Sequence, residues 1–240
     1  MIPLVLVHGF MGGSEQWKMQ APLADIGPLV TPDLPGFGQN AGAPPVNSIG
    51  GFADWVLQGL LDQGIERFHL LGHSMGGMIV QEMMRRSPEA VDRLILYGTG
   101  PAGVLPGRFE TIETSMNRAA EDGAAATARR ISATWFMRGE QAEEYTACAA
   151  IAEKSGLGAI TAGLEAMRDW SGEDSLSAIQ APSLVLWGDG DRTYAWPQVE
   201  TLWKTVPNCK LAVVPGCAHA VHLEEPEIFN RLIAKFLCAM

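Results

Sequence analysis

A serine between two glycines is the clearest sign of chemistry in this sequence. Residues 72–76 read Gly-His-Ser-Met-Gly, with the strand pattern "RFHLL" before them and the helix-forming "MIVQEMMRR" after them. The pattern G-x-S-x-G at a strand-to-helix turn lifts the serine hydroxyl above the sheet in a strained backbone conformation. An ordinary turn serine is the alternative. Because a strand pattern precedes the motif and a helix pattern follows it, we favour Ser74 as a nucleophile.

A serine hydroxyl needs a base to take its proton, and the sequence offers five histidines. His219 lies in "PGCAHAVHLEEP", a glycine-marked loop between the last strand pattern and the last helix pattern. That position predicts that it reaches the same edge of the sheet as Ser74. His222, near the start of the last helix, is the competitor. His69 falls within a strand pattern, and we expect the side chain of His73 to point away from Ser74.

The base needs an acidic partner that orients it and stabilises its cation. The segment "LVLWGDGDRT" is a strand pattern that opens into a loop with two candidates, Asp189 and Asp191. Both follow the carboxyl end of the strand. We favour Asp191, because Asp189 suits the loop-capping role that aspartate often has. The order along the chain is then Ser, Asp, His.

Acyl transfer also needs hydrogen-bond donors for the oxyanion that develops on the attacked carbonyl. The loop "VHGFMGGS" follows the first strand pattern and can direct the backbone N–H of Phe10 towards the site. The backbone N–H of Met75, next to the serine, supplies a second donor at a helix N-terminus. We interpret His8 in the same loop as a scaffold residue.

Strand and helix patterns alternate along much of the chain, as the positioning of these groups requires. The strand patterns are continuous runs of Val, Ile and Leu, which is typical of a parallel sheet buried on both faces. Alternation with helices predicts an open α/β sheet with right-handed crossovers. Residues 101–178 instead show only helical patterns. We therefore predict a core formed by residues 1–100 and 179–240, with residues 101–178 as a helical cap inserted into it.

Five linked motifs give the chain its resemblance to a known family. "HGFMGGS", "DLPGFGQN", "GHSMGG", "WGDGDRT" and "GCAHAVHLEEP" occur in the order and approximate spacing of α/β-hydrolase fold proteins. The resemblance spans nearly the whole chain and is weakest over residues 101–178, where that family carries a variable helical cap. It implies an α/β-hydrolase fold with a mostly parallel central sheet flanked by helices.

The resemblance also implies roles for individual residues. Ser74, Asp191 and His219 would form the catalytic triad, with Phe10 and Met75 as the oxyanion hole. A serine at this turn argues against the dehalogenase and epoxide hydrolase branches, which use aspartate there. His73 before the serine looks more like the esterase, lactonase and perhydrolase-like branches. The mechanism that this arrangement implies needs no metal and no organic cofactor.

The sequence is compatible with more than one function. We favour a serine hydrolase that cleaves a carboxylic ester through an acyl-enzyme, with thioesterase, lactonase or C–C bond hydrolase activity on the same triad as alternatives. A non-catalytic hydrolase-like ligand receptor is also compatible with the triad. A nucleotide-binding oxidoreductase is rejected: residues 36–41 match a relaxed G-x-G-x-x-A, but Pro44 and Pro45 follow before a helix can form.

Substrate selectivity is expected to come from large apolar residues of the cap. Such residues can either face the cleft and favour apolar acyl or alkyl groups, or pack the cap helices against the core. The candidates are Trp135, Phe136, Met137, Met167 and Trp170.

Composition restricts the partners. The 240 residues are 47% hydrophobic and 18% charged, with a formal net charge of −10, so we expect neither nucleic acid nor an anionic membrane as a partner. A small-molecule substrate is the expected ligand. The four cysteines form no C-x-x-C pair, and no ligand spacing supports a metal site at Cys217 and His219. With no visible secretory signal, these features predict a cytoplasmic protein, while the sequence carries no signal of its oligomeric state.

Overall fold

The architecture is a parallel β-sheet with helices on both faces, seen in a computed structural model that describes residues 1–104 and 109–238. In these residues six strands form one sheet in the order β2-β1-β3-β4-β5-β6, and every neighbouring pair is parallel. The strands are β1 (Leu4–Val7), β2 (Leu29–Val30), β3 (Phe68–His73), β4 (Val91–Tyr97), β5 (Ser183–Gly188) and β6 (Cys209–Val214). The predicted fold class is confirmed.

Helices alternate with the strands, and the helix at Met75–Arg86 follows β3 almost directly. Within the described residues the α-helices are α1 (Ile49–Asp62), α2 (Met75–Arg86), α3 (Ile112–Asp122), α4 (Ala124–Ala133), α5 (Tyr145–Ala152), α6 (Leu157–Arg168), α7 (Trp196–Thr205), α8 (Val221–Glu224) and α9 (Pro226–Leu237). Short 3-10 segments connect them, the longest at Ser14–Asp25. None of the helices in this part of the chain is long and apolar enough to span a bilayer.

Two apolar layers hold the sheet. Val5 and Val7 of β1 face the layer that contains α1 and α2, whereas Leu4 and Leu6 face the layer that contains α9. Both sides of the strand are therefore buried, which is why the strand sequences lack polar alternation. Burial on two faces fixes the strands rigidly and, with them, the loops at their carboxyl ends.

Helices α3–α6 lie between β4 and β5, in the region that the sequence analysis interprets as a cap. The predicted cap includes residues 105–108, which lie outside the described residues. An isolated antiparallel bridge between Ala102 and Ser171 joins the two ends of this insertion. The exact boundaries at residues 100 and 179 stay a prediction.

The order in which strands are added to the sheet reverses beside β1, and open α/β sheets bind their ligands at such a point. β1 pairs with β2 on one side and with β3 on the other, so the connections that leave these strands run over opposite parts of the sheet. Ligands of open α/β folds bind in the crevice at such a switch point, outside the carboxyl ends of the strands. The loops after β1 and β3 carry Phe10 and Ser74 to this place.

Candidate active site

Ser74 occupies a sharp turn between the end of β3 and the start of α2. Its backbone angles are φ 57° and ψ −121°, a region that costs a non-glycine residue about 1–3 kcal/mol. Hydrogen bonds oppose this strain. Ser74 N–H donates to Tyr97 O at 3.0 Å, and the Thr99 hydroxyl donates to Ser74 O at 2.8 Å. The turn is thus fastened to the end of the neighbouring strand β4.

Glycines leave the space that this turn requires. A Cβ atom added at Gly76 would lie 2.3 Å from Val7 O, and one at Gly72 would lie 2.3 Å from Gly76 O. At Gly9 the added atom would lie 2.9 Å from Ser74 Cβ. Real Cβ atoms do not approach other atoms so closely, so α2 can pack against β1 and β3 only without these side chains.

His219 and Asp191 meet at the carboxyl edge of the sheet. His219 Nδ1 lies 2.8 Å from Asp191 Oδ2, and the two side chains are 2% and 0% exposed. The other carboxylate oxygen of Asp191 accepts from Thr193 N–H at 2.7 Å and Tyr194 N–H at 3.2 Å. With Nδ1–H donating to the carboxylate, the Nε2 lone pair of His219 is left able to take a proton.

The two competing residues make other contacts, although His222 lines the same cavity as Ser74 and His219. Asp189 Oδ1 accepts from Gly216 N–H at 2.8 Å, which ties two loops together. His222 is buried in α8, with Nδ1 2.9 Å from the Tyr97 hydroxyl. Burial, with a smaller effect from the charge of His219, lowers the pKa of His222 to about 3. His222 therefore stays neutral, and its contacts are those of a structural residue.

His73 contributes in a way that the sequence analysis missed. Its Nε2–H donates to the backbone carbonyl of His219 at 3.0 Å, and the Tyr97 hydroxyl donates to the same oxygen at 2.9 Å. The rings of His73 and His219 lie 4.5 Å apart. Burial lowers the pKa of His73 well below its ordinary value, so the ring is neutral. Two donors on one carbonyl fix the backbone that carries His219; the only sequence signal was the histidine next to Ser74.

The two residues predicted for the oxyanion hole lie shortly after the ends of β1 and β3. Phe10 follows β1 and lines the same cavity as Ser74, and Met75 is the first residue of α2, where backbone N–H groups have no acceptor within the helix. His8 braces the first loop: its Nδ1 donates to Gly9 O at 2.8 Å and its Nε2 accepts from Leu34 N–H at 3.0 Å. Burial lowers the pKa of His8 to about 4, which keeps the ring neutral for both bonds.

One cavity brings Ser74 and His219 together with an apolar wall drawn from core and insertion. Its apolar lining includes Phe10, Met78, Phe109, Ile131, Trp135 and Met167. Of the predicted selectivity residues, Trp135 and Met167 thus line this cavity. Phe136 and Met137 border a different surface hollow, and the Trp170 ring packs over Gly172. Phe136, Met137 and Trp170 are thus the candidates that do not line the cavity of Ser74.

Hydrogen bonds between the insertion and the His219 loop explain why Trp135 lines the cavity and Met137 does not. Ala220 N–H donates to Trp135 O at 2.9 Å. The carboxylate of Glu224 accepts from Met137 N–H at 2.6 Å and from Ala218 N–H at 2.7 Å. These bonds fix the backbone around Trp135 while Met137, 40% exposed, is directed outwards. Glu224 was missed because its sequence neighbourhood resembles any acidic helix start.

Comparison with known proteins agrees with this architecture. The model of the alpha/beta hydrolase family matches residues 4–232, and the chain belongs to that family. Membership confirms the resemblance drawn from the five motifs and the predicted hydrolase class.

Individual relatives carry different hydrolase chemistries. The chain is 30% identical to a pimeloyl-[acyl-carrier protein] methyl ester esterase of Aromatoleum aromaticum, over 93% of each chain. It is 27% identical to a putative carbamate hydrolase of Agrobacterium fabrum, over 98% of this chain and 93% of the relative. It is 26% identical to a 2-hydroxy-6-oxononadienedioate/2-hydroxy-6-oxononatrienedioate hydrolase of Cupriavidus pinatubonensis, over 98% and 86%.

A solved structure is similar over almost the entire chain. The thermophilic esterase from Thermogutta terrifontis superposes with a TM-score of 0.89 at 25% identity, covering 99% of this chain and 89% of that one. The similarity therefore includes the insertion as well as the sheet.

Proposed function

We propose that this protein hydrolyses carboxylic esters, with Ser74 as nucleophile, His219 as general base and acid, and Asp191 as the residue that orients His219. One observation carries the proposal. A buried imidazole–carboxylate pair with 2.8 Å between Nδ1 and Oδ2 borders the same cavity as a serine held at φ 57°. A merely structural serine has no reason to be held in so strained a conformation at the wall of a cavity.

The reaction would run in two halves. Ser74 Oγ attacks the ester carbonyl while its proton passes to His219 Nε2. The resulting oxyanion accepts hydrogen bonds from the backbone N–H groups of Phe10 and Met75. Collapse of this intermediate breaks the C–O bond, and His219 returns the proton to the leaving alcohol. Water then attacks the acyl-enzyme with His219 again as base, which releases the acid and restores Ser74.

The cavity supports an uncharged acyl group as the part of the substrate next to the reacting carbonyl. Apolar side chains from the core and from residues 101–178 surround the site, so we propose that this insertion acts as a cap that selects the substrate. The methyl ester esterase among the relatives favours an ester over the alternatives. Carbamates and C–C bonds next to a carbonyl, which other relatives' names describe, would be attacked at the same kind of carbon.

The proposal includes a small-molecule substrate and no nucleic acid or membrane partner. The net charge of −10 supports this, because phosphate-rich surfaces repel an acidic protein. A cytoplasmic location stays a prediction.

The test is hydrolysis of a panel of 4-nitrophenyl and methyl esters by the wild type, Ser74→Ala and Ser177→Ala, an exposed serine of the insertion. We expect Ser74→Ala to lose about ten-thousandfold or more in kcat, with the unfolding transition little changed, and Ser177→Ala to match the wild type. Equal slow hydrolysis by the wild type and Ser74→Ala would reject the enzyme assignment in favour of a ligand receptor.

A further inference from the structure

A second, larger hollow adjoins the catalytic cavity. We call this space the outer hollow. The residues that line it include Glu15, Lys18, Ala147, Ile151, Lys154 and Leu223. The open volume is about 500 Å³ there and about 30 Å³ in the catalytic cavity. The catalytic cavity is therefore the tighter of the two spaces, and the outer hollow has more room for the remainder of a long substrate.

Gln16 and Cys148 line both spaces and therefore lie at the boundary between them. Gln16 comes from the core segment Ser14–Asp25 and Cys148 from α5 of the insertion, and both are buried, at 5% and 2% exposure. Gln16 Nε2 donates to Cys148 Sγ at 3.0 Å. Burial raises the pKa of this thiol to about 12, so the sulfur is uncharged and a weak acceptor. A weak hydrogen bond thus joins the two residues at the boundary between the spaces, which we call the partition.

The carboxamide of Gln16 can form stronger bonds than this one. A buried amide offers two donor hydrogens and an acceptor oxygen, and leaving them without good partners costs free energy. A carbonyl, amide or hydroxyl of a ligand that passes between Gln16 and Cys148 would satisfy the carboxamide better than the thiol does. The partition is therefore suited to opening around a polar group.

The outer hollow is suited to an uncharged chain. Its floor includes the apolar side chains of Ile151 and Leu223. Its charged residues are already paired: Lys18 Nζ lies 3.1 Å from Glu144, and Lys154 Nζ lies 2.7 Å from Glu15. An ionic end group would have to compete with these pairs, whereas an apolar chain can lie on the floor between them.

We propose that the outer hollow is a second substrate subsite, which takes the distal arm of an extended, uncharged ester whose arm carries a hydrogen-bonding group where it passes Gln16. This assignment rests on the proposed function, because it places the reacting carbonyl at Ser74. It adds the substrate class: esters with a long, neutral arm rather than a short one, bound better still when the arm carries a hydrogen-bonding group at Gln16.

The first experiment fills the outer hollow. Ala147 is exposed on α5 and lines the hollow, so Ala147→Trp can block it without disturbing the core, and its neighbour Thr146, exposed and outside the lining, gives the control Thr146→Trp. The measured quantity is the ratio of kcat/KM for a decanoyl ester to that for an acetyl ester. Since each buried methylene contributes about fourfold to binding, we expect Ala147→Trp to lower this ratio at least about tenfold and Thr146→Trp to leave it within about twofold.

The second experiment removes the carboxamide. Gln16→Leu is expected to lower kcat/KM at least about fivefold for an ester with an amide within its arm, relative to an all-carbon ester of equal length, because the amide then loses its partner. If Ala147→Trp and Thr146→Trp leave the chain-length ratio equal, or Gln16→Leu lowers both esters alike, the subsite is refuted while Ser74-dependent hydrolysis stands. If no ester is hydrolysed in a Ser74-dependent way, the proposed function fails instead.

Discussion

Two regions of the molecule build one cavity by different means. The first consists of the loops that follow β1, β3, β5 and β6. The second consists of the helices inserted between β4 and β5. The strand-end loops hold polar groups in place with several hydrogen bonds each; Asp191 alone accepts three. The insertion contributes mainly apolar side chains such as Trp135 and Met167, and the side chain through which it meets Gln16 of the core is a thiol. If Ser74, His219 and Asp191 act as proposed, bond-making chemistry depends on the hydrogen-bonded loops and substrate choice on the apolar wall. Substitutions in the loops should therefore change kcat, and substitutions in the insertion should change KM.

The largest expected effect separates two aspartates of one loop. Asp191→Asn should lower kcat about ten-thousandfold, because an amide favours the wrong tautomer of the histidine and cannot stabilise its cation. Asp189→Asn should lower kcat less than about fivefold, since Asp189 accepts only from a loop amide. Steady-state kinetics on one ester measures both. Equal losses in the two variants would show that the acidic partner has been misassigned.

The next effect tests the close packing below Ser74. Gly76→Ala places a Cβ 2.3 Å from Val7 O and should lower the free energy of unfolding by about 3 kcal/mol or more. Gly59→Ala on α1, where no atom lies within 4 Å of the added carbon, should raise it by about 0.5–1 kcal/mol. Urea unfolding of both variants provides the measurement. A Gly76→Ala protein as stable as the wild type would contradict the packing described here.

A smaller effect concerns the stability of the folded protein at acidic pH. The folded protein keeps His8 and His222 neutral, with pKa values of about 4 and 3, whereas the unfolded chain binds their protons near pH 6.5. Stability from these residues is therefore complete above about pH 7 and is lost as the pH falls from about 6.5 towards 4, at up to about 1.4 kcal/mol per histidine and pH unit. His222→Gln should show a shallower loss between pH 6 and 5 than the wild type, in urea titrations at each pH. An identical slope would mean that His222 is charged in the folded state.

The smallest effect lies in the insertion. Met167→Ala should raise KM about fivefold for an apolar ester and leave kcat nearly unchanged, because the residue only covers the substrate. Met137→Ala is the matched control: that side chain is 40% exposed and borders another hollow, so KM should stay within about twofold. A loss of kcat in Met167→Ala would show that the wall takes part in the chemistry after all.

The sequence predicted the strand-end loops better than the insertion, and the reason is physical. A buried parallel strand is recognisable as an apolar run, and its carboxyl end defines where the next loop must lie, so Asp191 and His219 could be expected at one edge. In the insertion, the direction of a side chain depends on how a helix packs on the core. Phe136 and Met137 therefore face elsewhere although they adjoin Trp135.

Hydrogen bonds from side chains to the backbone of a distant loop also could not be predicted from the sequence. His73 and Tyr97 converge on the carbonyl of His219, which lies more than a hundred residues away along the chain. No spacing rule connects such positions, because the contact exists only once β3, β4 and the final loop lie side by side. The pairing of Gln16 with Cys148 is of the same kind.

Covalent labelling tests the central claim most directly, that Ser74 is an activated nucleophile. The folded wild type is treated with a serine-directed 4-nitrophenyl phosphonate and analysed by intact mass and peptide mapping, with Ser74→Ala in parallel. The account predicts one phosphonyl group per chain, on Ser74, and no label on Ser74→Ala. Labelling of another residue, or equal labelling of both proteins, would contradict it.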